Sequence, residues 1–375
     1  MVDQETIVRL LAGVNAITWQ SLVMLAVSFA LFYLAIVKDY EPLLLLPIGA
    51  GCLLANLPLS PLMDQHGMLR ILYEAGVDNE LYPLIIFVGI GAMTDFGPLL
   101  ENPKFVLLGA AGQFGIFLTL LLALLLGFTQ NQAASIGIIG AIDGPTSIYV
   151  SGILAPDMLG PISVAAYSYM SLVPIIMPPV IYALTTKQER EIRMAYSSRK
   201  ISRRTRIMFP IIVTVMVGSL VPFATPLIGM LMLGNLMKES GAVERLTKCS
   251  ANELANIVTL FLGLSIGSTM GGERFLQMDT LFILILGLLA FVLDCAAGVL
   301  FAKILNWATG GKVNPIIGAA GISAFPMAAR VCQRLAQKEV FDNFLLMHAM
   351  GANAAGQVAS VVAGGVLLAL MGAGG

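Results

Sequence analysis

Charge is scarce in this chain. Only 11% of its 375 residues are Asp, Glu, Lys or Arg, while 58% are hydrophobic, and the mean hydropathy is +0.88. A soluble domain carries about a quarter charged residues, so that class is excluded. The few Lys and Arg residues lie in loops between apolar runs and form no basic face beside aromatics, which argues against a nucleic-acid partner. Cys52, Cys249, Cys295 and Cys332 show no CxxC spacing, and His66 and His348 have no zinc-site neighbours. No redox or zinc centre is expected, and the cysteines read as small hydrophobes. The ten-residue alternation of a membrane β-barrel is missing. The opening MVDQETIVRLLAGV lacks the basic region and cleavage site of a signal peptide, so the first span is expected to remain in the protein.

What the chain has instead is long apolar runs. A helical span takes about 20 apolar residues, and the pattern predicts an all-α polytopic membrane protein with about eleven membrane segments. Candidate spans fall near 18–38, 42–58, 82–97, 105–128, 131–152 and 160–184, then 207–221, 223–237, 254–270, 279–307, 313–332 and 341–372. Between the two sets lies a polar connector, 187–206, with eight Lys/Arg against two Glu. The organisation expected is a first membrane repeat over 1–186, a basic cytoplasmic linker over 187–206 and a second repeat over 207–375.

Three short likenesses support a duplication. PIGAGCLLANL at 47–57 parallels PLIGMLMLGNL at 226–236, FVGIG at 87–91 parallels FLGLS at 261–265, and Ile-Ile-Gly-Ala occurs at 138–141 and 316–319. All three offsets lie between 174 and 180 residues. If 131–152 and 313–332 are re-entrant or broken, each half crosses five times and the halves are inverted. With the linker inside, Lys38, Lys104, Lys238, Arg245, Lys248, Lys303, Lys312, Arg330, Arg334 and Lys338 join it, leaving Arg9, Arg70 and Arg274 outside. That is eighteen basic residues against three, as the positive-inside rule requires. Inverted repeats with broken helices are the architecture of secondary transporters.

The polar residues of the two broken segments are the candidate site. In GAIDGPTS, Gly144 and Pro145 interrupt a helix beside Asp143, freeing carbonyls that, with the Thr146 and Ser147 hydroxyls, suit a hard cation. A helix-capping Asp at an interface is the blander alternative, at the cost of a charge in the membrane. In VNPIIGAAGISAFPMAAR, Ser323 mirrors the Asp143 region, and Arg330 offers a planar fork for a carboxylate or carbamate, or else snorkels at the interface. Asn314 and Asn353 are neutral cation ligands or interhelical amides. Tyr169, two residues from Tyr167, either faces a polar cavity or lies at the interface. Asp294, in an unbroken apolar run, reads as a bundle partner or a second proton or ion position.

Over GAIDGPTSIYVSGILAPDMLGPISVAAYSYMSLVPIIMPP and VNPIIGAAGISAFPMAAR, and essentially along its whole length, the chain resembles the β subunit of the sodium-pumping biotin-dependent decarboxylases. Those complexes act on oxaloacetate, glutaconyl-CoA, methylmalonyl-CoA or malonate. The resemblance implies a membrane subunit that decarboxylates carboxybiotin, with uptake of a proton, and exports sodium. It assigns the essential aspartate to Asp143, the tyrosine to Tyr169, and the Asn, Gly, Ser and Arg series to Asn314, Gly318, Ser323 and Arg330, with Asn353 beside them. The implied roles are catalysis by Asp143, Tyr169 and Arg330, carboxybiotin binding by Arg330, Asn314 and Gly318, and sodium binding by Asp143, Thr146, Ser147, Asn314, Ser323 and Asn353. The implied partners are a carboxyltransferase subunit, a biotin carrier protein, a small membrane subunit, the lipid bilayer of a bacterial cytoplasmic membrane and further copies of this chain. No Met-Lys-Met carrier motif occurs, so biotin arrives on the partner. The shorter N-terminal portion leans towards an acyl-CoA rather than an oxaloacetate enzyme. A sodium-coupled carboxylate symporter or sodium/proton antiporter is the competing expectation from the spans and Asp143 alone, and a passive anchor leaves the ionisable groups unexplained.

Overall fold

The computed structural model describes residues 12–195 and 201–372 and is helical throughout, with no strand among the described residues. Arg9, residues 196–200 of the basic connector and the Arg274 side chain lie outside the described part. Among the described residues, six helices are long and apolar enough to cross a membrane: Trp19–Ile36, Pro103–Leu125, Pro156–Leu184, Glu244–Ser268, Met278–Ala308 and Leu346–Gly372. Other apolar runs form shorter pieces. Pro42–Ala55, at 14 residues, rises about 21 Å, short of the hydrocarbon thickness of about 30 Å.

The short helices end where buried asparagines take over the backbone. Asn56 donates to Met270 O at 2.8 Å and accepts from the Gly272 amide at 3.0 Å, closing the end of Ala255–Ser268. Asn235 donates to Thr94 O at 3.1 Å, closing the end of Leu81–Met93. Helix Pro42–Ala55 packs on Ala255–Ser268, and Thr225–Ser240 packs on Leu81–Met93. In the second pair the backbones touch: a side chain at Gly91 would strike Leu231 O, and one at Gly234 would strike Val88 O.

Apolar side chains gather in two clusters. The smaller holds Met24, Ile48, Cys52, Leu262 and Ile266. The larger joins the two broken segments to the helices around Phe291, Val299 and Leu367.

Both breaks are real interruptions of the helix ladder. After Gln130–Gly137 comes a single 3-10 turn, Ile138–Ala141, and then Ile142 at φ 52°. A β-branched residue in the left-handed region costs on the order of 1–3 kcal/mol, so the surrounding packing imposes this turn. Helix Gly144–Leu154 then restarts with Asp143 as its cap and Pro145 in its first turn, where a missing N–H costs nothing. The second break is longer: Asn314 caps the 3-10 stretch Pro315–Gly321, Ile322 is extended, and Met327–Glu339 restarts the helix. The two breaks meet directly, Ser323 N–H donating to Ala141 O at 3.0 Å.

The basic connector is tied to the second half. Arg190 pairs with Glu339 at 2.7 Å, Lys303 with Glu189 at 3.2 Å, and Arg203 donates to Ser240 O at 2.6 Å. Burial alone raises Glu189, but donation from the Thr186 amide and from Lys303 outweighs it and holds the carboxyl below its usual range.

Candidate functional site

A cavity of about 660 Å³ opens between the two apolar clusters. On one wall stand Glu41, Leu44, Ile86 and Ile90; on the other, Asp143, Ser323, Arg330 and Gln357, with Tyr167 and Asn256 also reaching it. Asp143 is 4% exposed. Its Oδ2 accepts the Thr146 hydroxyl at 2.8 Å and the Ser360 hydroxyl at 2.8 Å, and its Oδ1 accepts the Thr146 amide at 3.3 Å. No Lys or Arg pairs with it among the described residues. A buried carboxylate without a counter-charge is costly in the membrane, so this arrangement favours a site that takes up a cation or a proton.

Leu346–Gly372 presents one face to both breaks. Asn353 donates to Ile322 O at 2.6 Å, Gln357 donates to Ser323 O, and Ser360 reaches Asp143. Gln113, where Pro103–Leu125 is interrupted, donates to Gly321 O at 3.3 Å. Three amide side chains thus hold three successive carbonyls of the second break. Each amide's own oxygen is buried and unpartnered: Gln113 Oε1, Asn353 Oδ1 and Gln357 Oε1. Neutral oxygens that lack donors are the ligand type a hard monovalent cation uses. No group of three His, Cys, Asp or Glu residues stands together among the described residues, which leaves hydroxyl, amide and carbonyl oxygens as the available donors.

The sequence-predicted residues divide into three groups. Asp143, Ser323 and Arg330 share the cavity, with Thr146 held on Asp143. Asn353 grips the second break from behind, while the Ser147 hydroxyl turns back to Asp143 O within its own turn at 2.9 Å. The structure does not bring Asn314, Gly318 or Tyr169 to the cavity lining. Asn314 donates to the connector, at Arg190 O (2.9 Å) and Ile192 O (2.8 Å). Gly318 lies against the backbone of Gly298, with no room for a side chain. The Tyr169 hydroxyl donates to Leu284 O at 2.5 Å. The tyrosine at the cavity is Tyr167, whose ring covers Gly144 so closely that any side chain there would collide. Arg330 makes no ion pair among the described residues and is exposed at the mouth. Sequence reasoning missed Gln113, Gln357 and Ser360. The spacing of Asn353, Gln357 and Ser360, four then three, puts all three on one helix face and was the available signal.

The chain matches the family described as "Na+-transporting oxaloacetate decarboxylase beta subunit" over residues 20–371. It belongs to that family. Among relatives, it is 52% identical to the methylmalonyl-CoA decarboxylase subunit beta of Veillonella parvula, over 96% of this chain and 95% of the relative. It is 51% identical to the glutaconyl-CoA decarboxylase subunit beta of Acidaminococcus fermentans, over 96% of each. It is 48% identical to oxaloacetate decarboxylase beta chain 2 of Salmonella typhimurium, over 92% of this chain and 94% of the relative. Membership makes the chain a membrane subunit of a decarboxylase coupled to sodium transport.

Proposed function

We propose that this subunit takes carboxybiotin from a carrier protein at the cavity mouth, decarboxylates it with uptake of a proton, and exports sodium through the meeting point of the two breaks. The observation that carries the reading is a single cavity lined by an unpaired Arg330 and by Asp143. Arg330 orients the carboxybiotin anion through its planar fork. Biotin leaves as a ureido anion that must be protonated, and Asp143 or the neighbouring Tyr167 relays that proton. One sodium binds at Asp143, with Thr146 and Ser360; a second binds among the oxygens of Ser323, Asn353 and Gln357. Asn314, Gly318 and Tyr169 act by positioning: Asn314 holds the connector, Gly318 the packing of the second break, and Tyr169 the start of Met278–Ala308.

The reading includes two inverted repeats of about eleven membrane segments, 1–186 and 207–375. The matched roles of Asn56 and Asn235 support it. They lie 179 residues apart, and each closes the end of a helix in the other half. Such symmetry, with broken helices meeting at the middle, suits alternating access. Placing the 187–206 connector on the cytoplasmic side of a bacterial cytoplasmic membrane sets Arg330 where the carrier arrives. A carboxyltransferase subunit, the biotin carrier, a small membrane subunit and further copies of this chain complete the complex. A CoA ester is its substrate class: alignment to the first two relatives takes 360 and 361 positions, whereas alignment to the oxaloacetate subunits takes 407 or more.

The test is sodium uptake into inside-out proteoliposomes holding the purified chain, with and without carboxylated biotin carrier, for wild type and Asp143→Asn. Uptake that requires the carboxylated carrier and vanishes in the variant supports the proposal. Uptake driven by ion or carboxylate gradients alone would make the chain a secondary transporter instead. Decarboxylation retained in the variant would separate the two sites.

A further inference from the structure

Asp294 stands midway along Met278–Ala308, fully enclosed, and no step above uses it. Its Oδ1 accepts the amide of Gly115, a donor set free where Pro103–Leu125 is interrupted at Gly112 and Gln113. Among the described residues its Oδ2 has no hydrogen-bond partner, and it lies against Gly140 of the first break, where a side chain would collide with it. No Lys, Arg or His pairs with it among the described residues.

The titratable groups around this stretch are few. Asp143 lies three residues beyond Gly140, and Tyr169 is engaged with Leu284 O. Cys295 and Cys332 are neighbours, and Lys303, further along the same helix, is engaged with Glu189 and Leu184 O.

We infer that Asp294 is a second proton-exchange site, its Oδ2 protonated while Gly140 covers it and ionised when the first break shifts and sodium enters. An enclosed carboxylate with one bare oxygen is far less stable than the neutral acid, while the Gly115 amide on Oδ1 supports the ionised form. The balance therefore turns on whether Oδ2 is covered. In the step, the Oδ2–H bond breaks, the proton leaves to water, and the entering sodium replaces its charge. The inference rests on the sodium-pump reading and adds to it a carboxyl that senses the break from behind.

Infrared difference spectroscopy of the purified chain, with the aspartate carboxyl carbon labelled with carbon-13, tests this. Sodium chloride is compared with potassium chloride. The expected result is a label-sensitive carboxylic-acid band in the sodium-free protein that falls with sodium, is absent in Asp294→Asn and persists in Asp143→Asn. A wild-type band set unchanged by Asp294→Asn would overturn the inference. If Asp294→Asn does not fold, Asp143→Asn still decides, because a buried aspartic-acid band remaining there comes from Asp294 and its absence refutes the proposal. Failure of the pump reading shows separately, as no carrier-driven sodium uptake with the Asp294 band intact.

Discussion

Ser360→Ala isolates one contact of the proposed sodium site. The Ser360 hydroxyl donates to Asp143 Oδ2 at 2.8 Å and is fully buried, so nothing replaces it when it is removed. Thr146 continues to donate to the same oxygen, which keeps the turn in place. A hydrogen bond to a charged group contributes about 1.5–3 kcal/mol, and each 1.4 kcal/mol is a factor of ten. Half-saturating sodium is therefore expected to rise about 10- to 100-fold. The assay is the initial rate of carboxylated-carrier decarboxylation by proteoliposomes as a function of sodium. Maximal rate should stay near wild type, because Arg330 on the cavity wall is untouched. Ser171→Ala is the control: the same atom is removed from another buried serine, whose hydroxyl donates only to Tyr167 O at 3.0 Å. An unshifted sodium curve in Ser360→Ala, or an equal shift in Ser171→Ala, would refute the reasoning.

Other substitutions probe the remaining parts. Arg330→Lys keeps the charge but loses the fork, so KM for the carboxylated carrier should rise about tenfold, one charge-assisted hydrogen bond, with the sodium dependence unchanged; steady-state kinetics separate the two. Asn56→Ala leaves Met270 O and the Gly272 amide unpaired and should cost about 1–3 kcal/mol, whereas in Asn235→Ala the Thr94 carbonyl keeps the Lys238 ammonium at 2.9 Å, so its drop in Tm in detergent should be the smaller of the two. Glu189 is depressed in the folded protein, so its support of the connector is present above the ordinary carboxylate range and is lost as pH falls through the lowered value. Limited proteolysis of the connector should increase on acidification in wild type, and Glu189→Gln should show that sensitivity already at neutral pH.

The break at Asp143 was legible because Gly-Pro follows a carboxylate in an apolar run, and there the chain leaves the helix ladder; Asp143 both caps the helix that restarts and lines the cavity. Arg330, a cation closing a polar stretch, lines the same cavity. Tyr167 and Tyr169 were not separable: two residues apart, they point about 200° apart around a helix, and which of them meets the cavity depends on how Leu159–Leu184 is rotated by its neighbours. Asn314 looked like a ligand because it precedes a break, yet its amide reaches the connector, a contact across 122 residues that no local pattern encodes. The runs expected at 42–58 and 82–97 form the shorter helices Pro42–Ala55 and Leu81–Met93: Asn56 caps the first, and the second ends at Thr94, whose carbonyl Asn235 holds from the other half.

The face of Leu346–Gly372 that carries Asn353, Gln357 and Ser360 grips the second break at two carbonyls and the first at its aspartate. A rotation or slide of that helix is therefore felt on both sides at once, like a rack engaging two pinions. Loading one break while the other stays idle would strip contacts without replacing them. On the proposed pump, the expected outcome of that shared rail is a fixed ratio of ions to turnovers and a low rate of slippage when either the carrier or sodium is missing, without any separate gate.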